Sequence, residues 1–204
     1  MRRFIIIAHD APTHADFSLS DLAGGAGRLD VLCRCVSASL LHSHGIRSNT
    51  EVITIHQDSV AVRIDGSTVR HLNPDERSIA GHIKAALGAA EDAVGAMEVE
   101  ASTGVTVSRR GLADILQELT GPIVQLDPAG DPVTDHPTDE PCTYVLSDHH
   151  PFEPADREIL EEAVDRQVSL GPVALHADQA ITVVHNALDT DGYRRYGTPG
   201  SEPI

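Results

Sequence analysis

The chain has 204 residues, 41% of them hydrophobic, which is enough for one large core and excludes wholesale disorder. Aromatics are only 3% and Trp is absent, so the core must be aliphatic; formal net charge is -16, with Lys84 the single lysine. No apolar run approaches the roughly 20 residues of a membrane span, and charge alone favours a protein that avoids nucleic acid. In molar salt that last exclusion lapses, because the Debye length shrinks to about 3 Å and counterion release contributes little. Such an acidic, lysine-poor surface suits a cell with molar internal salt.

The first predicted strand is Arg3–Ala8, whose unbroken apolar run suits burial on both faces. Turn residues follow in SLSDLAGGAG. In RLDVLCRCVSASLLHS, Leu29, Leu32, Cys33, Val36 and Leu40 recur at helical spacing. TEVITIHQD and SVAVRIDG predict two strands joined tightly around Asp58 and Ser59, with STVRHL as a candidate third. Asn73 as cap, Pro74 in the first turn, and Asp75 and Glu76 at the positive dipole end open the next helix. VTVS predicts a short strand and GLADILQELTG a helix closed by Gly121. PIVQLD is a strand ending at Leu126, and the Asp127–Pro141 segment is a Pro- and Asp-rich loop. CTYVLSD is a strand, EPADREILEEAVDR a helix with Pro154 near its first turn, QVSLG a strand and DQAITVVHNALD the last helix. This order predicts an α/β fold with a largely parallel sheet, one domain over residues 1–190 and a flexible tail over 191–204.

Ligands in such sheets bind beyond the carboxyl ends of the strands. Three loops qualify, after Leu126, Leu146 and Leu170. Ser169–Gly171 and Pro172 offer backbone donors and acceptors, and Leu126, Val145, Leu146 and Leu170 offer apolar walls, a mixture that suits a purine. No basic cluster accompanies them, so an adenine cofactor of little negative charge fits better than ATP or NAD. An ordinary loop in a packed sheet explains the same residues. GGAGRLD lacks the endings of a phosphate-binding loop and reads as a helix-start loop. The last helix carries Thr182, His185, Asn186 and Asp189 opposite its apolar stripe, a mostly uncharged polar face suited to a second subunit. Cys33, Cys35 and Cys142 are an odd set without a secretory segment, which argues for reduced thiols in cytoplasm. CRC is no zinc motif. Asp148–His150 (DHH) could take a metal but reads as a loop-edge cluster, so no metal is expected.

Together, GRLDVLCRCVSASLLHSHGIR, PDER and SLGPVALHADQAITVVHN resemble the archaeal tRNA (pseudouridine-54 N1)-methyltransferases of the SPOUT superfamily, over about Arg3 to Leu188. The resemblance implies a cytoplasmic homodimer that uses S-adenosylmethionine and methylates tRNA. It also implies helices on both sheet faces and a trefoil knot in the C-terminal third, a feature that sequence reasoning alone would not suggest. Cofactor contacts would fall on Leu126, Ser147, Ser169, Leu170, Gly171, Pro172, Val173, Ala174 and Ala180. Ser147 stands where glycine is usual and Ala180 where relatives can carry cysteine. The N1 proton of pseudouridine must leave before or during attack on the methyl group, so a carboxylate could accept it or a cation could stabilise the anion. Arg28 and Asp30 of RLD fit those roles only if Arg28 lies in the loop before the helix, since residues two apart on a helix diverge. An Asp30–Arg34 surface pair is the plain alternative. Arg34, Arg47, Arg77, Arg109 and Arg110 are candidates for RNA phosphate contacts. An rRNA pseudouridine as substrate, or a non-catalytic RNA-binding role, are the alternatives.

Overall fold

The computed structural model describes residues 1–91, 95–135 and 141–197. β1 (Arg2–Ala8) lies near the centre of an eight-stranded sheet, and Phe4 to Ala8 are almost wholly buried, as their unbroken apolar run predicts. α1 (Leu29–Leu40) carries the chain back across the sheet, and a small hairpin of β2 (Leu41–His42) and β3 (Gly45–Ile46) leads into β4 (Thr50–His56). β4 pairs parallel to β1, then turns back into β5 (Val60–Asp65). α2 (Glu76–Glu91), β6 (Val99–Ser102), β7 (Val105–Ser108) and α3 (Leu112–Glu118) follow. The C-terminal part supplies β8 (Ile123–Pro132), β9 (Cys142–Ser147), α4 (Pro154–Ala163), β10 (Arg166–Ser169) and α5 (Ala177–Asp189).

The strand order is β10-β8-β9-β1-β4-β5-β7-β6. The five strands from β10 to β4 are mutually parallel, and β5, β7 and β6 continue antiparallel. The expected largely parallel α/β sheet is therefore present. α1, α2 and α5 cover one face, over Phe4, Ile6, Tyr144 and Leu146; α3 and α4 cover the other, over Ile5, Ile7, Ile53 and Val145. This explains why the central strands are apolar without alternation. α1 lies between the sheet, α2 and α5, so Cys33 and Cys35 are both buried although they point to different sides. Burial pushes the Cys33 thiol up to about 12, which leaves it inert.

Several local expectations change. STVRHL forms no strand; the third antiparallel partner is β7, with β6 at the edge. Gly104 stands against the backbone of Thr68 and Val69, so the tip of the β6–β7 hairpin occupies that margin. The ladder between β8 and β10 jumps from Gln167↔Gln125 to Val168↔Asp131, so Leu126–Gly130 arches out of a strand that does not stop at Leu126. Of the expected Asp127–Pro141 loop, residues 136–140 lie outside the described ones, as do residues 198–204 of the expected tail. Gly192 donates to the Ala187 carbonyl and Arg194 to that of Thr190, which ties residues 191–194 to the end of α5. His185, expected on the outward stripe of α5, is buried instead: its Nε2 donates to the Ser39 carbonyl at 2.9 Å, and Arg2 donates to its Nδ1 at 3.2 Å. Thr182, Asn186 and Asp189 remain exposed.

Candidate active site

Parallel pairing puts the carboxyl ends of β10, β8, β9 and β1 side by side. Three of these strands carry the sequence-predicted cofactor residues: Leu126 where β8 begins to arch out, Ser147 at the end of β9, and Ser169–Ala174 at and after the end of β10. Ala180, in the first turn of α5, is buried beside them in the same core as Leu126 and Leu170. The loop after β1 brings Arg28 and Asp30 to the same edge. Residues far apart in sequence thus meet because the strands run in one direction.

The Arg28 loop has a specific backbone. Gly27 (φ 53) and Arg28 (φ 58) are consecutive left-handed residues. A Cβ on Gly27 would lie 1.8 Å from the Asp10 carbonyl oxygen, so only glycine lets the loop press on the end of β1. Arg28 has no such exemption, and a left-handed arginine costs about 1–2 kcal/mol. The result is the convergence that RLD needs. Arg28 Nε donates to Asp30 Oδ1 at 2.9 Å and Nη2 to Oδ2 at 3.2 Å, a two-point fork. Arg34 Nη1 donates to Asp30 Oδ2 at 2.9 Å, so the plain Asp30–Arg34 pair is present as well. The Asp30 side chain is 8% exposed and that of Arg28 is 42% exposed. The Arg28 hydrogen bond is the main reason that Asp30 is held below the usual carboxylate range, against the opposing effect of burial, with Arg34 adding to it. Asp30 is a firmly ionised group that aims a solvent-facing guanidinium.

The cofactor loops meet a chemical test. Ser147 Oγ is buried without a hydrogen-bond partner, an arrangement that normally costs about 1–3 kcal/mol and that a ligand can relieve. Space around Gly171 (φ 140) is open, and Pro172, Val173 and Ala174 are exposed, so their backbone groups can reach a ligand. Apolar walls, free backbone groups and one orphan hydroxyl suit a nucleoside. The set contains no phosphate-binding cation.

The five arginines proposed for RNA do not form one patch. Arg34 is bonded to Asp30 and Glu76, with Asp178 4.0 Å away, and borders a cleft of about 270 Å³ lined by Cys33, Ser37, Pro74, Glu76 and Asp178. Arg77 is exposed near the start of α2. Arg109 donates to the carbonyls of Ala90 and Glu91 at the end of α2. Arg110 bonds Glu118 and the Ala96 carbonyl. Arg47 bonds Asp189 at 2.9 Å beyond the amino ends of β1 and β4, the opposite sheet edge from Arg28.

Sequence reasoning missed His9. It follows β1 directly, and its Nε2 lies 2.8 Å from Asp156 Oδ2 while its backbone N–H donates to Asp148 Oδ2. Burial lowers its pKa, but Asp156 and then Asp148 outweigh that, so the imidazole titrates above its ordinary value. A His-Asp pair at the end of a buried strand is the signal that points to it.

The fold is that of an α/β protein with a largely parallel sheet, whose carboxyl edge gathers the candidate site residues. The chain belongs to the family described as "Putative SAM-dependent RNA methyltransferase", which it matches over residues 1–193. It is 50% identical to a tRNA (pseudouridine(54)-N(1))-methyltransferase of Halobacterium salinarum, covering 96% of this chain and 100% of the relative. It is 51% identical to the protein of that name from Natronomonas pharaonis, with the same coverage. With the Methanocella arvoryzae protein it shares 40% over 91% of this chain and 97% of the relative. The fold is similar to that of Archaeoglobus fulgidus Nep1 bound to S-adenosylhomocysteine, with TM-score 0.64, 13% identity and coverage of 94% and 99%.

Proposed function

We infer that this chain transfers a methyl group from S-adenosylmethionine to N1 of pseudouridine 54 in the TΨC loop of tRNA. The observation that carries this is identity of about one half, end to end, with halophile relatives that bear that name. The proposed cofactor contacts are Leu126, Ser147, the Ser169–Ala174 loop and Ala180; when bound, S-adenosylmethionine supplies an electrophilic methyl group on its sulfonium. Arg28 is the proposed catalytic residue. As the N1 proton leaves to solvent, the ring gains negative charge that the Arg28 guanidinium would stabilise while N1 takes the methyl group that the bound cofactor would supply. Asp30 is the positioning residue: two guanidinium groups occupy its oxygens and it is held ionised, both of which make it a poor base. This assigns the charge-stabilising role of the RLD pair to its arginine.

The fold proposal is one methyltransferase domain over residues 1–190 with a trefoil knot. The strand order supports the knot: β9 inserts between β8 and β1, and the chain then returns to β10 beyond β8. A homodimer is proposed through the outward face of α5, where Thr182 and Asn186 are exposed, together with the exposed apolar residues Val173 and Leu175 of the loop that leads into it. The proposed setting is the salty cytoplasm of a halophile; composition supports it, and no described helix is long and apolar enough to cross a membrane. Arg34, Arg47, Arg77, Arg109 and Arg110 remain candidates for tRNA contact, and those now bonded to carboxylates, Arg34, Arg47 and Arg110, must exchange partners to reach a phosphate.

Methyl transfer in molar KCl tests the reading, with tRNA transcripts that carry pseudouridine or uridine at position 54. N1-methylpseudouridine should appear, by mass spectrometry, with the first transcript alone. Transfer only to a pseudouridine-bearing rRNA fragment, or no S-adenosylmethionine binding, would overturn it.

A further inference from the structure

The loop after β1 meets the loop after β9 in a cluster that the methyl-transfer chemistry does not use. Asp10, His149 and His150 each offer one ligand atom, and these atoms lie within 4.8 Å of one another. His150 Nε2 is 2.8 Å from Asp10 Oδ2, and His149 Nε2 is 4.0 Å from the same oxygen. The two imidazole rings are tilted together with centroids 3.9 Å apart. A tetrahedral ion with arms near 2.0–2.1 Å needs ligand atoms about 3.3 Å apart. The two separations from Asp10 Oδ2, 2.8 and 4.0 Å, bracket that value.

A second observation sets this cluster apart from a chance grouping. The other ring nitrogen of His149, Nδ1, lies 3.4 Å from Asp148 Oδ2, and the Asp148 side chain is only 3% exposed. Asp148 is itself held: it accepts the His9 N–H at 3.2 Å and the His150 N–H at 2.8 Å. A fixed carboxylate 3.4 Å behind one imidazole favours a proton on Nδ1 and so leaves Nε2, 4.0 Å from Asp10 Oδ2, as the nitrogen that can bind a cation. That carboxylate–histidine arrangement is the usual support of a metal-binding imidazole. In the sequence, Asp148–His150 reads as a loop-edge cluster; the fold adds Asp10 to the two histidines and places Asp148 behind His149.

We propose that Asp10, His149 and His150 bind one divalent cation of the zinc, cobalt or nickel class, with Asp148 orienting His149. Two imidazoles and one carboxylate favour such borderline ions over magnesium, which prefers an all-oxygen shell and keeps its waters. Three protein ligands at an exposed position leave the remaining coordination sites to water. The ion clips the end of β1 to the end of β9, next to Ser147 on one side and the Asp10 carbonyl that supports Gly27 on the other. The inference does not depend on which RNA is methylated. The three cysteines do not compete, since all are buried.

The test is calorimetric titration of the full chain, stripped by chelator and kept in molar KCl, with ZnCl₂ and separately with MgCl₂. One zinc per chain is expected, with magnesium at least tenfold weaker. His149→Gln and His150→Gln should each weaken zinc at least tenfold. Asp148→Asn leaves every ligand in place and should weaken it about ten- to hundredfold. His44→Gln, at the exposed turn of the β2–β3 hairpin, should change nothing. As a second measure, Co²⁺ should give visible absorption bands that Asp10→Asn abolishes, with circular dichroism confirming the fold of each variant. Absence of zinc binding, zinc binding retained by the His149→Gln/His150→Gln double variant, or equal affinity for magnesium would overturn the proposal.

Discussion

Asp30→Asn separates positioning from base catalysis. The change keeps the shape of a buried side chain but removes its charge and turns one oxygen into an NH₂ that faces guanidinium donors. Three charge-assisted contacts, at 2.9, 3.2 and 2.9 Å, are weakened together. Each such bond contributes up to about 1.5–3 kcal/mol when buried. Arg28 and Arg34 are 42% and 39% exposed in their side chains and recover water, so the net stability loss should be only about 1–2 kcal/mol. The fold survives, but Arg28 loses the fork that aims it. Removing one preorganised donor to a developing anion costs roughly 100- to 1,000-fold in rate, and the misaimed arginine should lose about 100-fold of that. Single-turnover methyl transfer at saturating S-adenosylmethionine reads the chemical step. Arg28→Ala should fall by a similar factor, and the double variant should be no worse than Arg28→Ala alone, because Asp30 acts through Arg28. Losses that multiply in the double variant would refute the reasoning and restore Asp30 as an independent base; so would an Asp30→Asn enzyme with undiminished rate.

Acid should destabilise the fold through two buried histidines. Burial depresses His56 to about 4 and His185 to about 3, and both are neutral in the fold. Their ordinary value is near 6.5, so below that pH the unfolded chain binds protons that the folded chain refuses. Their stabilisation is complete above about 6.5 and falls by about 1.4 kcal/mol per pH unit for each, down to their folded values. His9 acts in the opposite sense, since its raised folded value makes its contribution complete below about 6.5 and lost as pH rises through it. Denaturant midpoints between pH 4 and 7 should show the net loss on acidification, and His56→Gln should flatten the slope. Ser147→Ala should stabilise the ligand-free protein by about 1 kcal/mol while weakening S-adenosylmethionine roughly fivefold, because the orphan hydroxyl costs the free state and serves the bound one; weaker stability with unchanged affinity would remove Ser147 from the site. Gly27→Ala should cost at least about 2 kcal/mol by chemical denaturation, from its positive φ and its contact with Asp10. Thr182→Arg with Asn186→Arg should move sedimentation from dimer toward monomer, with the dimer constant weakened at least tenfold; no change would place the interface elsewhere.

What the sequence determined by itself was local and periodic. The unbroken run Phe4–Ala8 required a doubly covered strand, and the spacing of Leu29, Leu32, Val36 and Leu40 required a helix; both formed because burial rewards those patterns wherever the chain goes. Which residues would meet was a different matter. The outward face of α5 read as uniformly polar, yet His185 turned inward because the Ser39 carbonyl and Arg2, distant in sequence, satisfy both its nitrogens. STVRHL failed as a strand because β7 took its partner, and Asp10 joined His149 and His150 only because β1 and β9 are parallel neighbours. Arg28 faces Asp30 because Gly27 yields to the Asp10 carbonyl and the backbone enters the left-handed region. Short-range preference sets the elements; close packing between them, which no single segment encodes, sets the charges and the site.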